Sequence, residues 1–169
     1  MTTILEQSTQ IPITPPRDLR QALGDDILLK LALDAVQSLN PERLSTAISG
    51  KDKLRPQMML TLLSFCYATR LFGSRDIEWA ARHDKTVRYI CAHTFPEWRA
   101  IRHFRRHNRE LVERCLTYVL KKAWILYAEE AVEERMGNEF SSAACHEKVV
   151  LEACNKIEAA MITDMAESD

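Results

Sequence analysis

The sequence has little glycine, no long apolar run and no paired-cysteine motif, and each absence argues against a class of protein. Four glycines and 7% aromatic residues, in a chain dominated by Leu, Ala, Glu, Arg and Met, favour helices over sheets. No segment approaches the roughly 18 consecutive apolar residues that a membrane span needs. The N-terminus has no basic region followed by an apolar run, so we expect no secretion signal.

The cysteines predict reduced thiols rather than a disulfide framework. Five of them form an odd count, and no two stand in a CxxC arrangement. Buried thiols of this kind are typical of cytosolic proteins. We therefore expect a cytoplasmic protein, without a cofactor and without a membrane partner.

Charge is distributed unevenly along the chain although the net charge is only -1. Residues 55–122 contain 14 Lys and Arg against six Asp and Glu, a net of +8. Residues 123–169 contain three against 11, a net of -8. A basic middle followed by an acidic segment favours a polyanionic partner for the middle, although a charge run is also a common solvated surface.

The apolar spacing predicts an all-α fold with three segments. Residues 1–16, which hold three prolines, predict a flexible lead-in. Residues 17–122 predict a helical domain: a helix near 27–39, a short one from Asn40-Pro41 to Gly50, and a core helix from Arg55-Pro56 to near Gly73. Residues 123–169 predict an acidic segment that ends in an amphipathic helix.

Capping residues predict where three further helices begin. Ser74 can cap a helix to about Arg82, and Asp84 can cap a short helix that ends near Cys91. Thr94 and Glu97 have the spacing of a capping box, which would start a long helix running to about Glu134, with a bend near Lys121. Short helices in succession with tight turns are the layout of a helix-turn-helix core.

The most informative segment is the arginine-rich stretch from Arg99 to Arg114. At about 100° per residue, five arginines fall within roughly one third of the helix circumference and the apolar residues fall beside them. Five clustered guanidiniums repel one another, and a polyanion would relieve that repulsion. The alternative is that these arginines pair with acidic residues, for example from the C-terminal segment, and bind nothing else. The five arginines are Arg99, Arg102, Arg105, Arg106 and Arg109.

Residues 55–108 resemble the N-terminal domain of DDE-type insertion-sequence transposases. The resemblance consists of RPQMMLTLL, then Tyr67, then GSRDIEWAARHD, VRYI and FPEWRAIRHFRRHN, in that order. The chain departs from the family at Ala100, where a threonine is common. It also lacks the strands and spaced carboxylates of the family's catalytic domain, so we expect no strand-transfer chemistry and no enzymatic activity.

The resemblance implies binding of double-stranded DNA, such as the terminal inverted repeats of a mobile element, by a nucleoid-associated protein. The five arginines would contact phosphates and base edges, whereas four cations on the two preceding helices would position the backbone. Those four are Arg75, Arg82, Lys85 and Arg88. Trp98 would either stack near the groove or close the core as a lid. The alternative function is a helical interaction or regulatory module that kept the fold without DNA binding.

Three weaker patterns leave alternatives open. Cys91, His93, His103 and His107 could converge on zinc, although their spacing is not a usual zinc pattern, and we expect no metal. Acidic residues 129–134 fit a solvated helix face, or a brake that competes with DNA for the arginines. The stripe of Val150, Cys154, Ile157 and Met161 fits either packing on the protein's own core or the seam of a homodimer.

Overall fold

The chain is helical throughout the part that the computed structural model describes, which confirms the predicted all-α class. That part comprises residues 16–40, 55–135 and 142–167 with residues 42 and 44, excluding the side chains of 129–135 and 142–145. The predicted lead-in, apart from Pro16, and the predicted helix from Pro41 to Gly50, apart from residues 42 and 44, therefore lie outside the described residues. Its helices are α1 (Leu19–Leu23), α2 (Asp25–Gln37), α3 (Pro56–Ala68), α4 (Ser74–His83), α5 (Lys85–Ile90), α6 (Trp98–His107), α7 (Arg109–Arg135) and α8 (Ser142–Ala166).

Helix α3 is the centre of the core, as its apolar sequence predicts. Pro56 occupies the first turn, where its missing N–H costs nothing, and all ten residues from 59 to 68 are buried. A helix that is apolar on every side must be surrounded by other helices. Its two buried hydroxyls are satisfied locally, since Thr61 Oγ1 and Ser64 Oγ donate to carbonyls one turn earlier, at 2.8 and 2.6 Å.

Helices α2, α3 and α7 pack against one another, and α8 lies along α7 and also contacts α3. The three short helices are attached at one end of this bundle: α4 packs on both α5 and α6, α5 contacts α3, and α6 contacts α7. The buried apolar residues of all these helices form one continuous cluster. Within the described residues, no helix combines the length and apolarity needed to cross a lipid bilayer.

The turns after α3 and α5 are Schellman motifs built without glycine. After α3, the N–H of Leu71 donates to the carbonyl of Cys66 at 2.8 Å, and Arg70 takes the left-handed conformation with φ of 67°. After α5, Ala92 is left-handed in the same way, with φ of 48°. Glycine normally occupies this left-handed position. Because Arg70 occupies it here, the sequence does not indicate that α3 ends there, and the predicted end lies nearer Gly73.

The predicted long helix from Thr94 is wrong at its start and in its continuity. Helix α6 begins at Trp98, and the side chain of Glu97 before it makes no capping hydrogen bond. The chain then leaves helical geometry at Asn108, with φ of -125° and ψ of 29°, rather than bending near Lys121. The buried Asn108 amide donates to the Phe104 carbonyl at 3.0 Å, which gives the backbone a local alternative to continuing the helix.

The predicted boundary between residues 122 and 123 falls inside the continuous helix α7. Ala123 and Trp124 lie in the same buried cluster as the residues before them. The apolar stripe of α8 joins that cluster too, although it runs through Val149, Ala153 and Ile157 and so differs from the predicted stripe by about one residue. The stripe is therefore used inside the protein, which favours core packing over a dimer seam.

Asp84 links the short helices to the start of the chain. Its Oδ1 accepts hydrogen bonds from the N–H groups of Thr86 and Val87, at 3.0 and 3.1 Å, which confirms the predicted cap of α5. Its Oδ2 accepts from Arg20 at 2.9 Å, and Arg20 also donates two bonds of 2.7 Å to Asp25. The Arg20 side chain holds the pKa of Asp25 below its ordinary value. This network joins α1, α2 and α5.

Replacing Asp84 should separate its two roles. Asp84→Ala removes both the cap and the ion pair and should destabilise the protein by about 1–2 kcal/mol. Asp84→Asn keeps a good capping oxygen but loses the charge that faces Arg20, so it should lose less stability. Urea unfolding followed by circular dichroism measures both. Equal stability of Asp84→Ala and the parent protein would show that this corner contributes nothing to the fold.

Candidate nucleic-acid interface

The exposed face of α6 consists only of basic and imidazole side chains. Arg99, His103, Arg106 and His107 are exposed, and they occupy about 100° of the helix circumference. The rings of His103 and His107 are in contact with their centroids 4.0 Å apart and their planes tilted by 32°, and His107 Nδ1 lies 2.8 Å from the His103 carbonyl oxygen. The face is therefore a compact cationic strip on the outside of the protein.

The prediction that one helix face presents five guanidiniums is wrong for Arg102 and Arg105. Both are buried, with only 7% and 2% of their surface exposed. They lie on the arc next to Ile101 and Phe104, which the sequence correctly places in the core, and α8 covers that arc as well. Arg109, the first residue of α7, remains exposed, and its Nη1 lies 3.6 Å from Met161 Sδ.

The partner of the two buried arginines is Asp164, near the end of α8. Arg105 Nη1 donates to Asp164 Oδ2, and Arg102 Nε lies 3.5 Å from the same oxygen. Arg102 Nη2 also lies 3.8 Å from Glu167 Oε2. The alternative of pairing with C-terminal acids is thus confirmed for these two arginines. The specific acids at 129–134 lie outside the described side chains.

Asp164 also binds the first residue of α4. The backbone N–H and the hydroxyl of Ser74 donate to its two carboxylate oxygens at 2.8 and 2.7 Å. Ser74 was predicted to cap α4, but it is the first helical residue and its hydroxyl is used by Asp164 instead. We call Ser74, Arg102, Arg105 and Asp164 the buried anchor, because together they fix α4, α6 and α8 relative to one another.

The electrostatics of the buried anchor favour its charged form. Burial alone would raise the pKa of Asp164, but the hydrogen bonds from Ser74 and Arg105 more than offset it, so the pKa is below its ordinary value. Burial raises the pKa of the adjacent Tyr67 to about 12, which keeps a neutral phenol beside Arg105. Hydrogen bonds to the charged carboxylate offset part of the cost of burying it in a dry site.

Trp98 lies between the buried anchor and the surface and is half-buried. Three guanidiniums lie over its ring, those of Arg75, Arg99 and Arg102, at 4.7, 4.7 and 4.3 Å from the centroid. Its backbone N–H donates to Glu78 Oε2 at 3.4 Å. The stacking and lid alternatives for Trp98 both stay predictions. The indole gives the clustered cations an electron-rich face to pack against.

The exposed face of α4 continues the basic surface beyond Trp98. Arg75, Trp79, Arg82 and His83 are exposed at helical spacing, with one exposed acid, Asp76, beside them. The Arg82 guanidinium lies 4.7 Å from the ring centroid of Phe95, in the loop that leads into α6. Arg75 and Arg82 are therefore beside α6, as the predicted interface requires. Lys85 and Arg88 are exposed on α5, which packs on α4 on the other side.

The described residues contain no group of three or more His, Cys, Asp and Glu side chains that could hold a metal ion. Cys91 is buried, whereas His93, His103 and His107 are exposed. Burial raises the pKa of the Cys91 thiol to about 12, so it stays protonated and is a poor metal ligand near neutral pH. Cys91 and the three histidines therefore do not come together at one site.

Asp164 and Ser74 are the site residues that sequence reasoning missed. A usable signal existed for Asp164, which lies on the apolar stripe of α8 one turn after Ala160 and two turns after Ile157. A lone acid on a buried stripe requires a buried basic partner. The sequence does not indicate which basic residue pairs with Asp164, because Arg105 is 59 residues away.

Comparison with models of known protein families finds no match, and neither does comparison with curated proteins or with solved structures. The likeness to transposase DNA-binding domains therefore depends on the residues quoted from the sequence. The function that follows from it is a proposal of ours.

Asp164→Asn should destabilise the protein by about 3–5 kcal/mol, because it removes the counter-charge of the buried Arg105 and leaves Arg102 with only the more distant Glu167. The folded-state pKa of Asp164 is lowered, so its contribution is fully present above the ordinary value of 3.8 and is lost as the pH falls through the folded value. The stability difference between variant and parent should therefore be constant from pH 7 to about 5 and shrink in stronger acid.

Thermal and urea unfolding between pH 7 and 3 measure this difference. Glu158→Gln, an exposed change on the same helix, is the control and should stay within about 0.5 kcal/mol of the parent. If Asp164→Asn matched this control at pH 7, the buried anchor would have no stabilising role.

Proposed function

We propose that this protein binds double-stranded DNA, with α6 as the recognition helix of a helix-turn-helix-like unit formed by α4, α5 and α6. The observation that supports it most is the composition of the exposed face of α6, where every exposed residue is Arg or His. Such a face has no use in the core and is complementary to phosphate and to the acceptor edge of guanine.

The dimensions of α6 fit this role. Ten residues give a helix of about 15 Å, and an α-helix fits the major groove, which is about 12 Å wide. Recognition helices contact base edges through their N-terminal residues, which here include Arg99 in the first turn. Arg106 and His107, two turns later, would then contact the phosphates at the groove edge, and Arg109 would extend that contact.

The neighbouring cations would hold the protein on the DNA backbone. Arg75 and Arg82 on α4 and Lys85 and Arg88 on α5 are exposed, so each is available to a phosphate. Arg102 and Arg105 act differently in this proposal: through Asp164 they set the rotation of α6 and so decide which of its side chains face outward. They are positioning residues rather than DNA contacts.

The resemblance to transposase domains makes the ends of a mobile element the natural target, with binding and not catalysis as the role. It also makes a cytoplasmic, nucleoid-associated location the expected one. A second candidate function is a helical interaction module that has lost DNA binding. The neutralisation of two of the five arginines by α8 favours that candidate, and the three that stay exposed on α6 and α7 favour DNA.

Removing exposed arginines of α6 should weaken DNA binding and its salt dependence together. For Arg99→Ala with Arg106→Ala, the slope of log affinity against log salt should become shallower by about 1, since Arg106 loses a phosphate contact that contributes about 0.9. Sequence preference should relax at the same time, because Arg99 no longer reads a base. A slope change of about 2 would place Arg99 on a phosphate instead. Fluorescence anisotropy with a random-sequence duplex and with selected sites measures both quantities.

Lys30→Ala with Lys122→Ala is the matched control, because it removes two exposed cations from α2 and α7. It should leave the slope within experimental error of the parent. Absence of binding by the parent protein at low salt would contradict the proposal and leave the interaction module as the better account.

A further inference from the structure

The exposed aromatic side chains of the described residues are confined to the basic part of the chain. Trp79, Tyr89 and Phe95 are 62%, 69% and 42% exposed, and the other exposed large hydrophobic residues are aliphatic. Residues 74–109, which include these three, contain nine Lys and Arg against four Asp and Glu. Aromatic rings interleaved with cations are the composition of surfaces on which bases of unpaired strands stack.

Trp79 is at the centre of this surface on α4. Arg75 lies one turn before it and Arg82 one turn after it, so a cation stands on each side along the helix. Both guanidiniums pack on other rings, Arg75 on Trp98 and Arg82 on Phe95, each at 4.7 Å. A guanidinium that stacks by its face keeps its N–H groups at the edge, where they can bind phosphate.

The indole of Trp79 is held in place before any ligand arrives. The imidazole of His83 stacks on it with centroids 4.2 Å apart and planes at 17°. His83 Nδ1 in turn lies 2.8 Å from the Trp79 carbonyl oxygen, which fixes the imidazole. Because one indole face packs on His83 and the side chain is still 62% exposed, the exposed area belongs to the opposite face and the ring edge.

We propose that Trp79 stacks on an unpaired DNA base next to the bound duplex, while Arg75 and Arg82 bind the phosphates on either side of it. Residues 75 and 82 are about 10 Å apart along the helix axis, a spacing that leaves room for one stacked nucleotide between the two arginines. The inference rests on the proposed duplex binding but adds a second ligand: a single-stranded extension at the duplex end. Charge complementarity selects this ligand over an apolar protein partner, because exposed arginines flank the ring on both sides along the helix.

Anisotropy measurements with three labelled probes test the proposal: a blunt duplex, the same duplex with a five-thymidine overhang, and that overhang with abasic sites. The overhang should increase affinity about 5- to 140-fold for one stacked base, and the abasic overhang should lose most of this gain. If the abasic overhang kept the full gain in affinity over the blunt duplex, the gain would come from the phosphates. That result would overturn the proposed stacking site.

Variants assign the gain to the indole. Trp79→Ala should abolish the overhang gain while changing blunt-duplex affinity less than twofold, and Trp79→Phe should restore most of it. Tyr89→Ala, which removes a comparably exposed ring on α5, should keep the gain. Circular dichroism confirms that each variant is folded. An overhang gain that survives Trp79→Ala would refute the assignment.

Binding of a single-stranded thymidine 15-mer separates the two proposals. If the parent protein binds the 15-mer in a Trp79-dependent way but not the blunt duplex, the stacking site stands and the duplex proposal fails. If it binds the blunt duplex but gains nothing from the overhang, the duplex proposal stands and the stacking site fails.

Discussion

The burial of two guanidiniums against one carboxylate is the constraint from which the arrangement of the basic surface follows. Arg102 and Arg105 can leave water only because Asp164 meets them, and Asp164 in turn is oriented by the N–H and hydroxyl of Ser74. These contacts fix the start of α4, the middle of α6 and the end of α8 at a single point. Once that point is fixed, the rotation of α6 is determined, and a strip of arginine and histidine is what remains outside.

Much of the fold could be predicted because the signals are local. The apolar run after Pro56 and the carboxylate of Asp84 act within one or two turns of themselves, and both the core helix and the cap of α5 are observed. The breaks at Arg70 and Asn108 were missed because residues other than glycine and proline make them. Arg70 takes a left-handed conformation that its type rarely adopts, and Asn108 ends α6 through its own amide.

The candidate site could be predicted only as a segment. The basic region could be located from composition. Helical spacing, however, does not determine how much of the circumference of α6 is buried. The apolar residues predicted one buried third, whereas α8 covers a wider arc that takes in Arg102 and Arg105. That extension depends on a residue far along the chain. The Trp79–His83 pair, four residues apart on one helix, is the kind of local contact that spacing alone could have indicated.

The three short helices are joined to the rest of the protein by contacts between residues far apart in the sequence. Asp84 meets Arg20 across 64 residues, and Ser74 meets Asp164 across 90. The buried anchor can form only when the chain extends as far as residue 164. A nascent chain that has not yet reached this residue therefore carries Arg102 and Arg105 without the carboxylate that holds them in the interior. The division of the arginines into a buried and an exposed set is thus completed only with the final turn of α8.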